Sequence, residues 1–364
     1  MISPENIEQL VKPELKAMKA YIPVEPTDVL SQRTDVPAEK VIKLDGNENP
    51  YGCSPRVKQA LANYTYYHLY PDPQQRELRK ALEKYTGLSS EYIIAGSGSD
   101  ELIDLILRLF IEPGDKVINC PPTFGMYPFS TDVCGGKTTN ILRKQNFAID
   151  VAGIKKALDK RTKVIFIASP NNPSGSLTPE REVLELLDTT AVVVIDEAYS
   201  EFNGITMAPL VPNYSNLIVL RTFSKWAGLA GLRAGYGIFP INIIKYLMKI
   251  KQPYNVNAAA QVAMLESLKD IGYLRSTIKS IVDERERLLS KLSELDWLKV
   301  YPSQANFVLC SVLNGKANEI YQKLKKGGIF IRYFDTPGLK DCLRISVGKP
   351  EHTDTLIAAL QEIY

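Results

Sequence analysis

Residues 191–202 read AVVVIDEAYSEF. The apolar run from Ala191 to Ile195 does not alternate with polar residues. A strand with one wet face would alternate, so this one is covered on both faces, as in a parallel sheet packed between helices. Asp196 ends that run. In an open α/β sheet, ligands gather beyond the carboxyl ends of the strands. A carboxylate emerging there needs a cation or hydrogen-bond donors, or its pKa rises until it is neutralised.

The neighbouring sequence has the same texture. Residues 73–87, PQQRELRKALEKYTG, read as an amphipathic helix ending at Gly87, and EYIIAG follows as a strand. ELIDLILRLF (101–110) is a helix with one broad apolar face, and DKVINC, KVIFIAS and NLIVLR read as further strands. Strand and helix signals alternate from about residue 74 to 240, which predicts an α/β fold. After PYNVN (253–257) come long helical patterns over 258–295, short strands in NFVL, IFIRY and CLRIS, and a last helix, HTDTLIAALQEIY. The expected organisation is an arm and linker over 1–45, packing with the small domain or a partner subunit. A large ligand-binding domain follows over 46–256, then a small α+β domain over 257–364.

Composition excludes several classes of function. The chain has 364 residues, 45% hydrophobic and 23% charged, with 44 Lys and Arg against 41 Asp and Glu. A net charge of +3 gives no nucleic-acid or membrane surface. The five cysteines are dispersed without a CxxC pair, and only His68 and His352 are histidines, so no metal site, disulfide framework or serine triad is expected. The N-terminal stretch lacks the apolar core of a signal peptide, and a reducing cytoplasmic setting is the expectation.

Four stretches fall at the expected carboxyl ends of strands. AGSGSDEL (95–102) is a strand, a Gly-Ser turn and a helix start, whose free N–H groups suit a phosphate; a plain capped turn accounts for it equally well. SPNNPSG (169–175) offers Asn172, though such a turn needs no function. VVVIDEAYSEF offers Asp196 and Tyr199. RTFSKWAGLAGLR (221–233) places Lys225 among small and apolar residues, where an amine loses solvation and becomes a nucleophile toward carbonyls. A rival reading takes TDVCGGKT (131–138) as a phosphate loop, but Thr131 stands where its first glycine belongs and TTNIL reads as a strand rather than a helix. An amine, an acid, ring-oxygen partners and a phosphate cup together are the partners that pyridoxal phosphate needs.

With LDGNENPYG (44–52), YPDPQ (70–74), PPTFGMY (121–127), PYNVN, ANFVL (305–309) and CLRISVG (342–348) added in that order, the chain resembles the class I and II aminotransferases of pyridoxal-phosphate fold type I. It is most similar to the histidinol-phosphate aminotransferase branch. The resemblance runs from about Tyr21 to the C-terminus. It implies a large domain with a mostly parallel seven-stranded sheet between helices, a smaller α+β C-terminal domain, and pyridoxal 5′-phosphate as cofactor. Lys225 would hold the cofactor and shuttle the proton, Asp196 would pair with the ring nitrogen, and Asn172 and Tyr199 would bond the ring oxygen. Phe124, where many relatives have Tyr, would stack on the ring. Ser99, Asp100, Glu101, Thr222, Ser224 and Arg233 would cup the phosphate, together with Tyr70 of a neighbouring subunit. Tyr21, Asn47, Arg332 and Arg344 would bind substrate. The implied activity is ping-pong transfer between histidinol phosphate and 2-oxoglutarate by a homodimer with shared active sites. An aromatic amino-acid aminotransferase or a threonine-phosphate decarboxylase of the same fold is the alternative.

Overall fold

The computed structural model describes residues 4–363 except Lys19 and Pro337. Tyr364, the last residue of the expected C-terminal helix, lies outside them. Two sheets organise the chain. The short strand β1 (Ile42–Leu44) belongs to the second sheet. The first is built from β2 (Ile93–Ser97), β3 (Lys116–Asn119), β4 (Lys137–Asn140), β5 (Thr162–Ala168), β6 (Val192–Asp196), β7 (Leu217–Thr222) and β8 (Ala234–Ile238).

This seven-stranded sheet has the order β2-β8-β7-β6-β5-β3-β4. The register is parallel from β7 across to β4, and β8 alone runs antiparallel to both its neighbours. Every residue of β7 is buried, as are Val193, Val194 and Ile195 of β6, which is why neither strand alternates. Helices cover both faces. One is Gly98–Phe110, burying Leu102, Ile103, Leu105, Ile106 and Leu107; another is Arg76–Thr86, burying Leu78 and Leu82 and stopped by Gly87 at φ 75°. Because β2, β3, β5, β6 and β7 point the same way, the loops after all five open at one end of the sheet.

The chain then passes through the helix Ile271–Ser293 into β9 (Leu298–Val300), β10 (Phe307–Val312), β11 (Ile329–Phe334) and β12 (Cys342–Ser346). The five-stranded order is β1-β11-β12-β10-β9, with β1 parallel to β11. The smaller unit is therefore closed by a strand from residues 42–44, a stretch expected to be linker. A three-residue edge strand carries too little pattern to be read from sequence.

Two further differences have clear causes. β8 was not anticipated because AGYGI is glycine-rich. A Cβ on Gly235 would lie 2.6 Å from Ser99 N and 2.7 Å from Gly98 C, so the strand has no side chain where the helix start presses on it. The rival phosphate loop fails on topology. Thr131 lies inside the helix Met126–Val133, Gly135 turns the chain at φ 75°, and Lys137 opens the edge strand β4.

Gly235→Ala should therefore push the helix start away from β8. A loss of about 2–3 kcal/mol is expected, read as a lowered thermal midpoint. A midpoint equal to that of the wild type would show that this contact has slack.

Candidate active site

The loop after β7 is oriented by its apolar residues. Phe223 and Trp226 are fully buried, with ring centroids 4.9 Å apart, and Trp226 stacks on Tyr85 at 5.4 Å. Anchoring these two in the core turns Ser224 and Lys225, between them, toward the open end of the sheet. Lys225 Nζ donates to Gly46 O at 2.9 Å. Burial, then the Arg344 charge, lowers its pKa from 10.5 to about 8.

Asp196, at the end of β6, is buried and has a donor at each oxygen: Tyr127 Oη to Oδ2 at 2.7 Å, and Ala198 N to Oδ1 at 3.1 Å. Burial raises its pKa to about 6, against the pull of those two donors. Phe124, expected to stack on a ring, sits in the loop between β3 and the helix Met126–Val133, with its own ring edge-on to Tyr127 at 5.6 Å.

The helix beginning at Gly98 offers a candidate anion cup. Its first turn leaves the amides of Gly98, Ser99 and Asp100 without intrahelical acceptors, whereas that of Glu101 is the first placed to close on Ser97. The Glu101 carboxylate turns back to accept from Ser97 N (2.6 Å) and Asn255 Nδ2 (2.9 Å). The Glu101 carboxylate thus serves the turn itself, while the amides of the expected phosphate donors Ser99 and Asp100 stay free of the helix ladder. Opposite lie Thr222 and Ser224, hydroxyl to hydroxyl at 2.9 Å, and Arg233, whose Nη2 meets Asp100 Oδ2 at 2.7 Å. Gly98 sits at φ 76°, a left-handed conformation that favours glycine, and the Arg233 guanidinium lies 2.8 Å from where a Cβ would stand.

Between the two sheets, Asp45, Gly46 and Asn47 thread across the site. Asn47 (φ 52°) donates through Nδ2 to Tyr199 Oη at 3.0 Å and through its amide to Ser346 Oγ at 2.9 Å. Burial pushes the Tyr199 phenol up to about 12, so it stays protonated and its hydrogen is available to a ligand oxygen. Arg344, buried on β12, donates to Asp45 O and to Asn172 Oδ1, and its Nε has no partner. Arg332 lies directly across the strand pair from Arg344, with Nη2 donating to Ile22 O at 3.3 Å.

Most of the expected residues converge here. Tyr21 is partly exposed with its ring against Gly125, one residue from Phe124. Tyr70 stands apart, 80% exposed and stacked on Tyr254 at 4.3 Å. Asn172–Pro173 is cis. Among the described residues no group of His, Cys, Asp and Glu could hold a metal. Sequence reasoning missed Tyr127, Ser346 and the Asp45 and Gly46 carbonyls. All four lie in motifs that had been picked out, but a backbone acceptor or a buried phenol leaves no distinctive residue signal.

Behind the site, Arg221 donates through Nε and Nη2 to Glu197 Oε2 at 3.0 and 2.9 Å, and Glu197 also accepts from Thr206 Oγ1 and Met207 N. A cavity of about 310 Å³ lies on that side, lined by Tyr85, Glu201, Arg221, Trp226 and Arg275. None of the expected site residues lines it.

The donor set fits pyridoxal phosphate: a low-pKa amine, a buried acid, hydroxyl and amide groups, and a glycine-floored anion cup on one sheet end. The chain matches the family aminotransferase class I and II over residues 39–360. The chain belongs to that family. It is 49% identical to the histidinol-phosphate aminotransferase of Dehalococcoides mccartyi over 98% of this chain and 99% of that one. It is 47% identical to the chloroplastic histidinol-phosphate aminotransferase 1 of Arabidopsis thaliana, covering 98% of this chain and 86% of the other. Its fold overlays the Sinorhizobium meliloti histidinol-phosphate aminotransferase, solved in complex with pyridoxal-5′-phosphate, with a TM-score of 0.88, 27% identity and 96% of each chain covered. As in that solved relative, the architecture is that of a fold-type I aminotransferase.

Two outcomes follow from this geometry. The neutral amine is the nucleophile, and it appears as pH rises through the group's pKa. Borohydride trapping of an aldehyde on the cofactor-free aminotransferase should therefore label Lys225 with a midpoint near pH 8 rather than 10.5; an ordinary midpoint would remove the desolvation argument. Arg221→Met leaves Glu197 charged and buried, so unfolding should cost about 3–5 kcal/mol less than in the wild type. Chemical denaturation measures this, and a change near zero would show that the pair is not a structural tie.

Proposed function

We propose that the chain is a pyridoxal-phosphate-dependent aminotransferase that exchanges the amino group of L-histidinol phosphate with that of L-glutamate, as in histidine biosynthesis. The observation that carries the substrate class is the cross-strand pair Arg332 and Arg344, with Arg344 buried, its charge acting on Lys225 and its Nε unpartnered. Two guanidinium groups side by side suit a phosphate dianion or the two carboxylates of a dicarboxylic acid; an aromatic amino acid presents only one carboxylate. Named relatives at 49% and 47% identity over nearly the whole chain support the same choice.

In this reading Lys225 would hold the cofactor aldehyde, Asp196 the ring nitrogen, Asn172 and Tyr199 the ring oxygen, and Phe124 the ring face. The amides of Ser99 and Asp100, with Thr222, Ser224 and Arg233, would hold its phosphate. Bound there, the cofactor supplies an electron sink for the charge left on the substrate's Cα. The protein does the rest. Freed when substrate takes its place, Lys225 Nζ would take the Cα proton, and its lowered pKa of about 8 leaves a useful neutral fraction near physiological pH where an ordinary lysine has almost none. Arg344 exchanges Asn172 and Asp45 O for the incoming anion, which frees Asn172 to face the cofactor. The phosphate-bearing donor and the dicarboxylic acceptor use the same cations in alternate half-reactions.

The reading includes a homodimer with shared sites. The exposed run Tyr66, Tyr67, Leu69 and Tyr70 supports a surface that a second copy covers, bringing Tyr70 to that copy's cofactor phosphate. The five free cysteines fit a cytoplasmic setting, and no helix among the described residues is long and apolar enough to cross a membrane.

Steady-state kinetics test the substrate choice. kcat/KM for histidinol phosphate should exceed that for phenylalanine, and Arg344→Ala should raise KM for both histidinol phosphate and glutamate by roughly tenfold or more. A preference for phenylalanine, or unchanged glutamate kinetics in Arg344→Ala, would move the chain to another branch.

A further inference from the structure

Tyr127 belongs to none of the motif roles, yet it makes the shortest contact to the acid of the site. Its side chain is fully buried in the helix Met126–Val133, stacked on Phe166 at 4.7 Å with the planes 4° apart and edge-on to Phe124. Core packing alone needs only a phenyl ring. The hydroxyl is the exception, because a buried phenol must find a partner, and here the partner is Asp196 Oδ2 at 2.7 Å.

We propose that Tyr127 is a positioning residue for Asp196, its phenol fixing the carboxylate's orientation and holding it in the charged form that a protonated ring nitrogen requires. The inference rests on the cofactor reading above. The geometry is specific: with Ala198 N on Oδ1 and Tyr127 Oη on Oδ2, each oxygen has one protein donor, and rotation of the carboxylate would break both bonds. A hydrogen bond to an ionised acceptor is stronger than one to a neutral acceptor, so the phenol favours the ionised acid. The other charged or titratable groups facing this pair do not replace it. Asp100 from the anion-cup helix and Glu197 next in the chain both disfavour a second negative charge, and the Tyr199 phenol is held by Asn47. Arg143 lies on the Tyr127 side, but its guanidinium is spent on the carbonyls of Cys120, Phe147 and Ala168.

The stretch that runs from the loop after β3 into this helix thus carries Phe124, which would stack on the cofactor ring, and Tyr127, the clamp on the acid. Thr123 adds a third tie, donating through Oγ1 to Asn171 Oδ1 at 2.7 Å, next to Asn172. One short stretch of sequence would then set the cofactor's face, its nitrogen partner and the loop that meets its oxygen.

The test compares affinity of the cofactor-free protein for pyridoxal 5′-phosphate, by equilibrium dialysis from mildly acidic to neutral pH, in wild type, Tyr127→Phe and Phe166→Leu. In the wild type, affinity should fall as pH drops through about 6. Tyr127→Phe should bind roughly tenfold more weakly at neutral pH, with the fall beginning about one pH unit higher. Phe166→Leu, which loosens packing and leaves the phenol, should lower the thermal midpoint without moving the pH limb. A Tyr127→Phe profile that overlays the wild type overturns the inference. A Tyr127→Phe chain that does not fold also overturns it, by assigning the phenol to the core. A wild-type chain with no affinity for pyridoxal phosphate fails the proposed function itself, which separates the two.

Discussion

The ion pair between Arg221 and Glu197 ties together the two loops on which the site depends. Glu197 follows Asp196 at the end of β6, and Arg221 precedes Thr222 at the end of β7. Alternation along each strand sends the pair to one face and Asp196 and Thr222 to the other. Both charges are taken out of water, with side chains 11% and 2% exposed, so the pair is stable only while its geometry holds. Whatever shifts β6 against β7 must break it. Phe223 and Trp226 then fix the loop beyond, and Lys225 emerges where the acid and the anion cup already stand. The reactive amine is placed by charge and aromatic packing on the far side of the sheet.

The fold was legible where burial dictates sequence. AVVVI and NLIVLR could belong only to strands covered on both faces, and the helices at 76–86 and 98–110 follow from their apolar spacing and from Gly87. What escaped has a physical reason. β8 contains glycines because a helix start leaves no room for side chains, and β1 is three residues long. In the site, Lys225, Asp196, Asn172 and Tyr199 could be picked out as candidates from their positions at strand ends, while Arg233 and Arg344 entered through the resemblance. The groups that hold them could not. The Gly46 and Asp45 carbonyls, the free amide of Gly98 and the buried phenol of Tyr127 act through backbone or through partners brought together by the fold.

Desolvation is the common cause of the site's unusual acidities. It brings Lys225 down to about 8, Arg344 to about 10 and Asp196 up to about 6. Each shift favours the less charged form, and each is opposed by a specific donor or neighbour. In the proposed reading the pocket would accept charge from outside: a ring nitrogen at Asp196, an anion at Arg344 and a phosphate at the helix start. The segment Asp45–Asn47 joins these functions across the two sheets, accepting from Arg344 and Lys225 and donating to Tyr199.

The most direct measurement is a single half-reaction. The protein loaded with pyridoxal 5′-phosphate is mixed with histidinol phosphate and no oxo acid, and the products are counted. Amino transfer at this site should give one imidazole acetol phosphate per active site and then stop until 2-oxoglutarate is added, with none formed by Lys225→Ala. Continued turnover without an oxo acid, or product formation by the lysine variant at the wild-type rate, would contradict it.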